Sequence, residues 1–204
     1  GYPRSVREIS PGVWHWTARH EHIGVDVSSY YFAAERVVLD PMIPPEGIEW
    51  FEEQGPPRHT LLTNRHHDRH AWRLHERFGT IVHCVRNGLY ELGGRGPVEA
   101  FDFGDELPGG AIVHEVDAIC PDETALHFPA HGALACADGV MHYSGQLSFV
   151  PERYMDDPEA TMRGLREAYS RLLALDFDTL LLAHGQPVVG GAKDALRTFA
   201  TDES

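Results

Sequence analysis

Read as blocks of apolar and polar positions, the chain alternates between short β-type runs and helical stripes. A Pro-Gly turn at 11–12 leads into Val13-Trp14-His15-Trp16, which reads as the opening of a strand. Val25 to Phe32 and Arg36 to Leu39 follow as two strands joined by Ala33-Ala34-Glu35, and Pro41 ends the second. Pro44-Pro45-Glu46 opens a predicted helix through Ile48, Trp50 and Phe51 that closes near Gln54-Gly55. Leu61 to Thr63 is a short buried strand. After a polar break, Ala71, Leu74 and Phe78 recur at helical spacing ahead of a Gly79 cap. Thr80–Cys84, Val98–Phe103 and Ala111–Val116 are further strands separated by Gly/Pro turns, with a polar turn at Arg86-Asn87-Gly88.

In the second half, Ala133 to Ala137 is an apolar strand ending in Asp138-Gly139. The best helix runs over 158–175, with Asp157 as cap, Pro158 at its first position and Met162, Leu165, Tyr169, Leu172 and Leu173 as its apolar stripe. Thr179 to Ala183 is a fully buried strand that breaks at His184-Gly185, and a terminal helix runs through Leu196 and Phe199. Strands and helices in alternation define an α/β chain.

Length adds that 204 residues fit one domain, 1–204, large enough for a layered core. A formal net charge of -14 argues against nucleic acid or an anionic membrane as partner and does not exclude an anionic small-molecule substrate. No apolar run approaches the roughly 18 residues of a membrane span, and no leader peptide is visible. Cys84, Cys120 and Cys136 are sparse and contain no CxxC pair, so a reducing cytoplasm is the expected compartment. No Gly-x-Ser-x-Gly elbow exists for serine hydrolysis. The oligomeric state is open.

The chemistry is concentrated in Leu61-Leu62-Thr63-Asn64-Arg65-His66-His67-Asp68-Arg69-His70, where a buried strand ends in clustered imidazoles and a carboxylate and a helix follows at once. Ligand sites form at such strand ends. Two further strand ends carry ligand-type residues, Asp138 and His184. Cys120, in Ile119-Cys120-Pro121, offers a thiol that serves either as a ligand or as a small buried hydrophobe. His20, Glu21 and His22 read as a solvated loop, and His127 as a satisfied surface histidine.

These segments resemble, in order and spacing, the signature of the metallo-β-lactamase superfamily. Its loop Thr-His-x-His-x-Asp-His is matched by Thr63, His66 and Asp68, with Asn64 at the first histidine and Arg69 at the last. Cys120 falls on the third histidine, Asp138-Gly139 resembles the strand end that bears a bridging aspartate, and His184-Gly185 resembles the last motif. Asp40-Pro41 matches the strand end that lies under the family's loop and reads as a loop-fixing residue. The resemblance covers Val13 to about Phe199 and implies a four-layer αββα sandwich.

It also implies a metal site of His66, Asp68, Asp138 and His184, and one divalent ion: zinc first, with iron or manganese also compatible. Asp68 and Arg69 are the candidate catalytic residues of a hydrolase acting on an ester, thioester, lactone or phosphoester. Arg69 is a fixed cation where a cation should bind. It either turns out toward an anionic substrate or replaces the metal by bridging Asp68 and Asp138. In the second case the protein is a metal-free member that binds a small molecule or partner.

Overall fold

The computed structural model describes residues 4–92 and 94–201, so the outermost positions of the expected span 1–204 lie outside the described residues. By their contacts the residues form two compact units, 1–102 with 107–109 and 103–106 with 110–204.

The first unit is a seven-stranded sheet whose spatial order follows the chain: β1 (Arg7–Ser10), β2 (Val13–Arg19), β3 (Asp26–Phe32), β4 (Val37–Leu39), β5 (His59–Leu61), β6 (Ile81–Val85) and β7 (Val98–Phe101). The first four strands pair antiparallel and β4 to β7 pair parallel. Helices α1 (Glu49–Gln54), α2 (Ala71–Phe78) and α3 (Leu89–Leu92) belong to the same unit. Side chains alternate across a strand, so Trp16, Tyr31 and Val38 share one face. They pack there with Trp50 and Phe51 of α1 and Leu74 of α2. Helix α1 is shorter than the run from Pro44 expected from the sequence. Gly47, at φ +93, breaks the backbone before it starts.

The second unit holds a five-stranded sheet in the order β14-β13-β10-β9-β8. Its strands are β8 (Ile112–Glu115), β9 (Thr124–Phe128), β10 (Ala133–Cys136), β13 (Thr179–Leu182) and β14 (Val188–Val189). A hairpin of β11 (Val140–Tyr143) and β12 (Gln146–Phe149) forms its own two-stranded sheet, bridged to the chain after β13 at His142–Gly185, and was not foreseen in the sequence. Its Ser144-Gly145 turn, with φ of 55° and 79°, was the available signal. Helix α4 (Pro158–Leu172) starts where expected, with the Asp157 carboxylate accepting the Ala160 N–H at 3.0 Å. Leu165, Tyr169 and Leu172 of α4, together with Leu196 and Phe199 of α5 (Ala192–Thr201), pack on Leu134, Cys136, Leu180 and Leu182. Each such buried side chain contributes about 1.5–3 kcal/mol.

The chain is thus mixed α/β, two sheets each carrying helices. Among the described residues, no helix is long and apolar enough to cross a membrane.

Candidate metal centre

In the second unit the site follows from strand register. β10 and β13 are parallel neighbours with Cys136 opposite Leu182. Asp138 and His184 each lie two residues beyond those partners, so equal overrun sets them side by side. His184 Nε2 and Asp138 Oδ1 are 2.8 Å apart, and both side chains are partly exposed.

The backbone after His184 is fixed by the hairpin. The His142 N–H donates to the His184 carbonyl at 3.1 Å and the Gln186 N–H to the His142 carbonyl at 3.2 Å, while His142 Nδ1 donates to the Gln186 carbonyl at 2.7 Å. Gly185 lies between these bonds at φ +97, and a Cβ there would sit 2.0 Å from the His142 carbonyl oxygen. Gly185→Ala should therefore cost about 2–4 kcal/mol through backbone strain and displacement of β11. Chemical denaturation checks this, and an unchanged midpoint would contradict it.

At Gly139 a Cβ would lie 2.3 Å from Leu165 Cδ2, so the Leu165 side chain would have to shift to admit it. On the Leu165 side of β10, Cys136 and Tyr169 are buried. Burial pushes the Cys136 thiol from its ordinary 9.0 up to about 12 and the Tyr169 phenol well above its usual range. Both stay protonated at neutral pH, so Cys136 supplies no thiolate.

In the first unit the loop after β5 is organised by Asp40, which is completely buried at the end of β4. Its φ of 46° lies in the left-handed region, which Asp tolerates better than most residues. Asp40 Oδ1 accepts the Thr63 N–H at 2.9 Å, and Oδ2 accepts the Thr63 hydroxyl at 2.6 Å. His67 Nδ1 stands 2.9 Å from Oδ2 and 2.8 Å from Thr63 Oγ1. The threonine hydrogen is already given to Asp40, so Nδ1 is the donor in both contacts. A carboxylate fixing the far nitrogen of a histidine is how metal-binding imidazoles are oriented. Burial raises the Asp40 pKa, but the charge and hydrogen bond of His67, the Arg69 charge and the Thr63 hydroxyl outweigh it, so the net shift is downward.

Asn64, at the place of the family's first histidine, caps the short turn Arg65–Asp68 by accepting the His66 N–H at 2.9 Å. That turn points His66 outward: it is exposed, with Nδ1 3.9 Å from Glu91 Oε2. His67, at a position the family's loop pattern leaves unspecified, is the buried imidazole of the loop.

Asp68 is buried, and both of its oxygens are engaged. Oδ1 accepts the Arg69 N–H at 3.0 Å; Oδ2 accepts Trp72 Nε1 at 3.0 Å and Arg95 Nη1 at 2.6 Å. Of the two arrangements open to Arg69 in the sequence, a turn outward or a bridge onto Asp68, the second is not what the structure has. Arg95 makes that pair, while Arg69 Nη1 donates to the carbonyls of Ser28 and Asp40 at 2.7 and 2.8 Å. Arg69 has φ 40°, a conformation an L side chain adopts only when its contacts hold it there. Arg95 lies 27 residues from Asp68, and no local pattern announces it.

Of the remaining candidates, Cys120 is half-buried in the turn before β9. His127 is not a surface residue: it is buried in β9, with Nε2 donating to the Asp176 carbonyl at 2.8 Å.

No protein-family model matches the sequence, and no curated protein matches it at a significant level. Solved structures do match. A β-lactamase domain protein from Burkholderia ambifaria is 20% identical with a TM-score of 0.67, covering 98% of this chain and 77% of that one. The metallo-β-lactamase FIM-1 from Pseudomonas aeruginosa, solved in a mono-zinc form, is 15% identical with a TM-score of 0.65, covering 98% and 95%. The metal-soaked Flv1 flavodiiron core from Synechocystis sp. PCC6803 is 14% identical with a TM-score of 0.68. The match covers 97% of this chain but only 60% of that longer protein. The chain has the metallo-β-lactamase fold.

Proposed function

We propose that the protein is a hydrolase dependent on one divalent metal ion, with a small-molecule ester, thioester, lactone or phosphoester as substrate. The observation that carries this reading is the Asp138–His184 pair at the matched ends of β10 and β13. The donor types fit an ion of the zinc, iron or manganese class. A separation of 2.8 Å also suits two neighbouring ligands with bonds of about 2.0–2.2 Å. Structural neighbours on this fold include FIM-1 in a mono-zinc form and a metal-soaked flavodiiron core.

Asp138 and His184 are the assigned ligands. His67, in the loop of the first unit, is held at Nδ1 by Asp40 and Thr63. His66 and Asp68, the ligands implied by the resemblance, are not used in this reading, because one is exposed and the other is saturated by three donors. When bound, the ion supplies a Lewis acid that polarises the substrate's carbonyl or phosphoryl oxygen and lowers the pKa of water. Asp138 contributes a carboxylate that takes up a proton from attacking water. Arg69 is a clamp on the ends of β3 and β4, and Asp68 an anchor for Trp72 and Arg95.

The test is turnover of a nitrophenyl ester, a thioester, a lactone and a nitrophenyl phosphodiester, with zinc, iron or manganese supplied. At least one should be hydrolysed in a chelator-sensitive manner, and Asp138→Ala should lose that activity. No turnover with any metal would favour the metal-free binding reading, whose supporting observation is the Asp68–Arg95 pair.

Asp68→Asn gives a separate prediction. Arg95 is 62% exposed, so its pair with Asp68 contributes about 1 kcal/mol or less. Metal content measured by elemental analysis should be unchanged in Asp68→Asn, and loss of the metal would restore Asp68 as a ligand.

A further inference from the structure

A second cluster of metal-ligating side chains lies in the first unit, away from the loop after β5. Three adjacent parallel strands each contribute one member: His59 opens β5, His83 is the middle residue of β6, and Glu99 lies in β7. Register puts them on one face. His83 is paired with Glu99 across β6 and β7, and with Leu61 across β5 and β6, two residues along from His59. This is the face opposite the one that carries Val38 and packs on α1 and α2.

His59 Nδ1 and His83 Nε2 are 3.0 Å apart, their ring centroids 5.1 Å apart and tilted by 48°. Glu99 Oε2 is 3.9 Å from His83 Nδ1, on a side chain that is 65% exposed. We propose that His59, His83 and Glu99 form a second cation site, selective for a divalent metal that favours imidazole, such as zinc, nickel or copper.

Two imidazoles and a carboxylate are a donor set for these ions. Their nitrogens are already at the spacing of adjacent ligands on one ion. Both histidines are neutral at physiological pH. Burial lowers His83 to about 4, helped by His59, and burial likewise lowers His59 against the opposing effect of Glu99. Each ring therefore holds one lone pair and one N–H, and a metal would replace the N–H···N bond with two coordinate bonds once the donor ring moves its proton to its other nitrogen. Glu99 lies on the Nδ1 side of His83, away from the nitrogen that faces His59, so it reaches the ion by swinging its exposed side chain around the ring. The sequence signal was a histidine at each of two positions on a face that otherwise carries Leu61, Ile81 and Val85.

The experiment is zinc titration, with a competing chelator, of an Asp138→Ala/His184→Ala variant from which the first assigned site has been removed. One equivalent should still bind. Glu99→Ala in that background, a surface change with no demand on folding, should weaken binding about tenfold or more. His59→Ala should abolish it, and nickel should compete with zinc. The site fails if the double variant binds no zinc, or if Glu99→Ala and His59→Ala both leave its affinity unchanged. Neither failure touches the Asp138–His184 assignment, which the double variant removes from the measurement.

Discussion

Asp40→Ala should destabilise the protein by about 3–5 kcal/mol, a large share of the 5–15 kcal/mol typical of a folded domain. The carboxylate is the acceptor for the Thr63 N–H, the Thr63 hydroxyl and His67 Nδ1. Its removal strands those donors where water does not reach, and each unsatisfied buried group costs about 1–3 kcal/mol. Urea unfolding of wild type and variant measures the loss. Asp40→Asn separates charge from shape, because it keeps one carbonyl acceptor and loses the anion.

The same carboxyl sets an acid limit. Its folded pKa lies below the ordinary 3.8, so the stability it contributes is present above that value and is lost as pH falls through the folded pKa. Asp40→Asn should be less stable at neutral pH and show a shallower loss on acidification. Parallel acid profiles for the two proteins would contradict this account of the loop.

How much of this was legible in the sequence differs between the two units. The ends of β10 and β13 were visible because each is a run of apolar residues that stops at a ligand-type residue before glycine. Parallel pairing then turns equal overrun into adjacency. The loop after β5 was legible as a place but not as an arrangement. Which of His66 and His67 turns inward depends on the Asn64 cap and on Asp40, 27 residues before His67. Periodicity carries no information on either within a turn of four residues.

Arg95 could not be read because it closes onto Asp68 from a short polar stretch without pattern. The β11–β12 hairpin was overlooked although Ser144-Gly145 marks it. It turns out to hold His184 in place through His142. The pairing of His59 with His83 required the strand register, which no single strand displays.

The second large effect concerns His184, whose replacement should end both metal binding at the pair and hydrolysis. Loss of one of two adjacent ligands removes the donor geometry that selects the ion, and turnover should fall by about a thousandfold or more. The fold should survive, since His184 is partly exposed and the backbone bonds made by His142 and Gln186 do not involve its side chain. Retained activity in a folded His184→Ala protein would remove metal-assisted hydrolysis at this pair from consideration.

The most direct measurement is the zinc content of wild type and His184→Ala proteins, each loaded with zinc and dialysed side by side, with folding confirmed by circular dichroism. The account predicts that His184→Ala retains one equivalent fewer than wild type, whatever is bound at other sites. Equal zinc in the two proteins would contradict it.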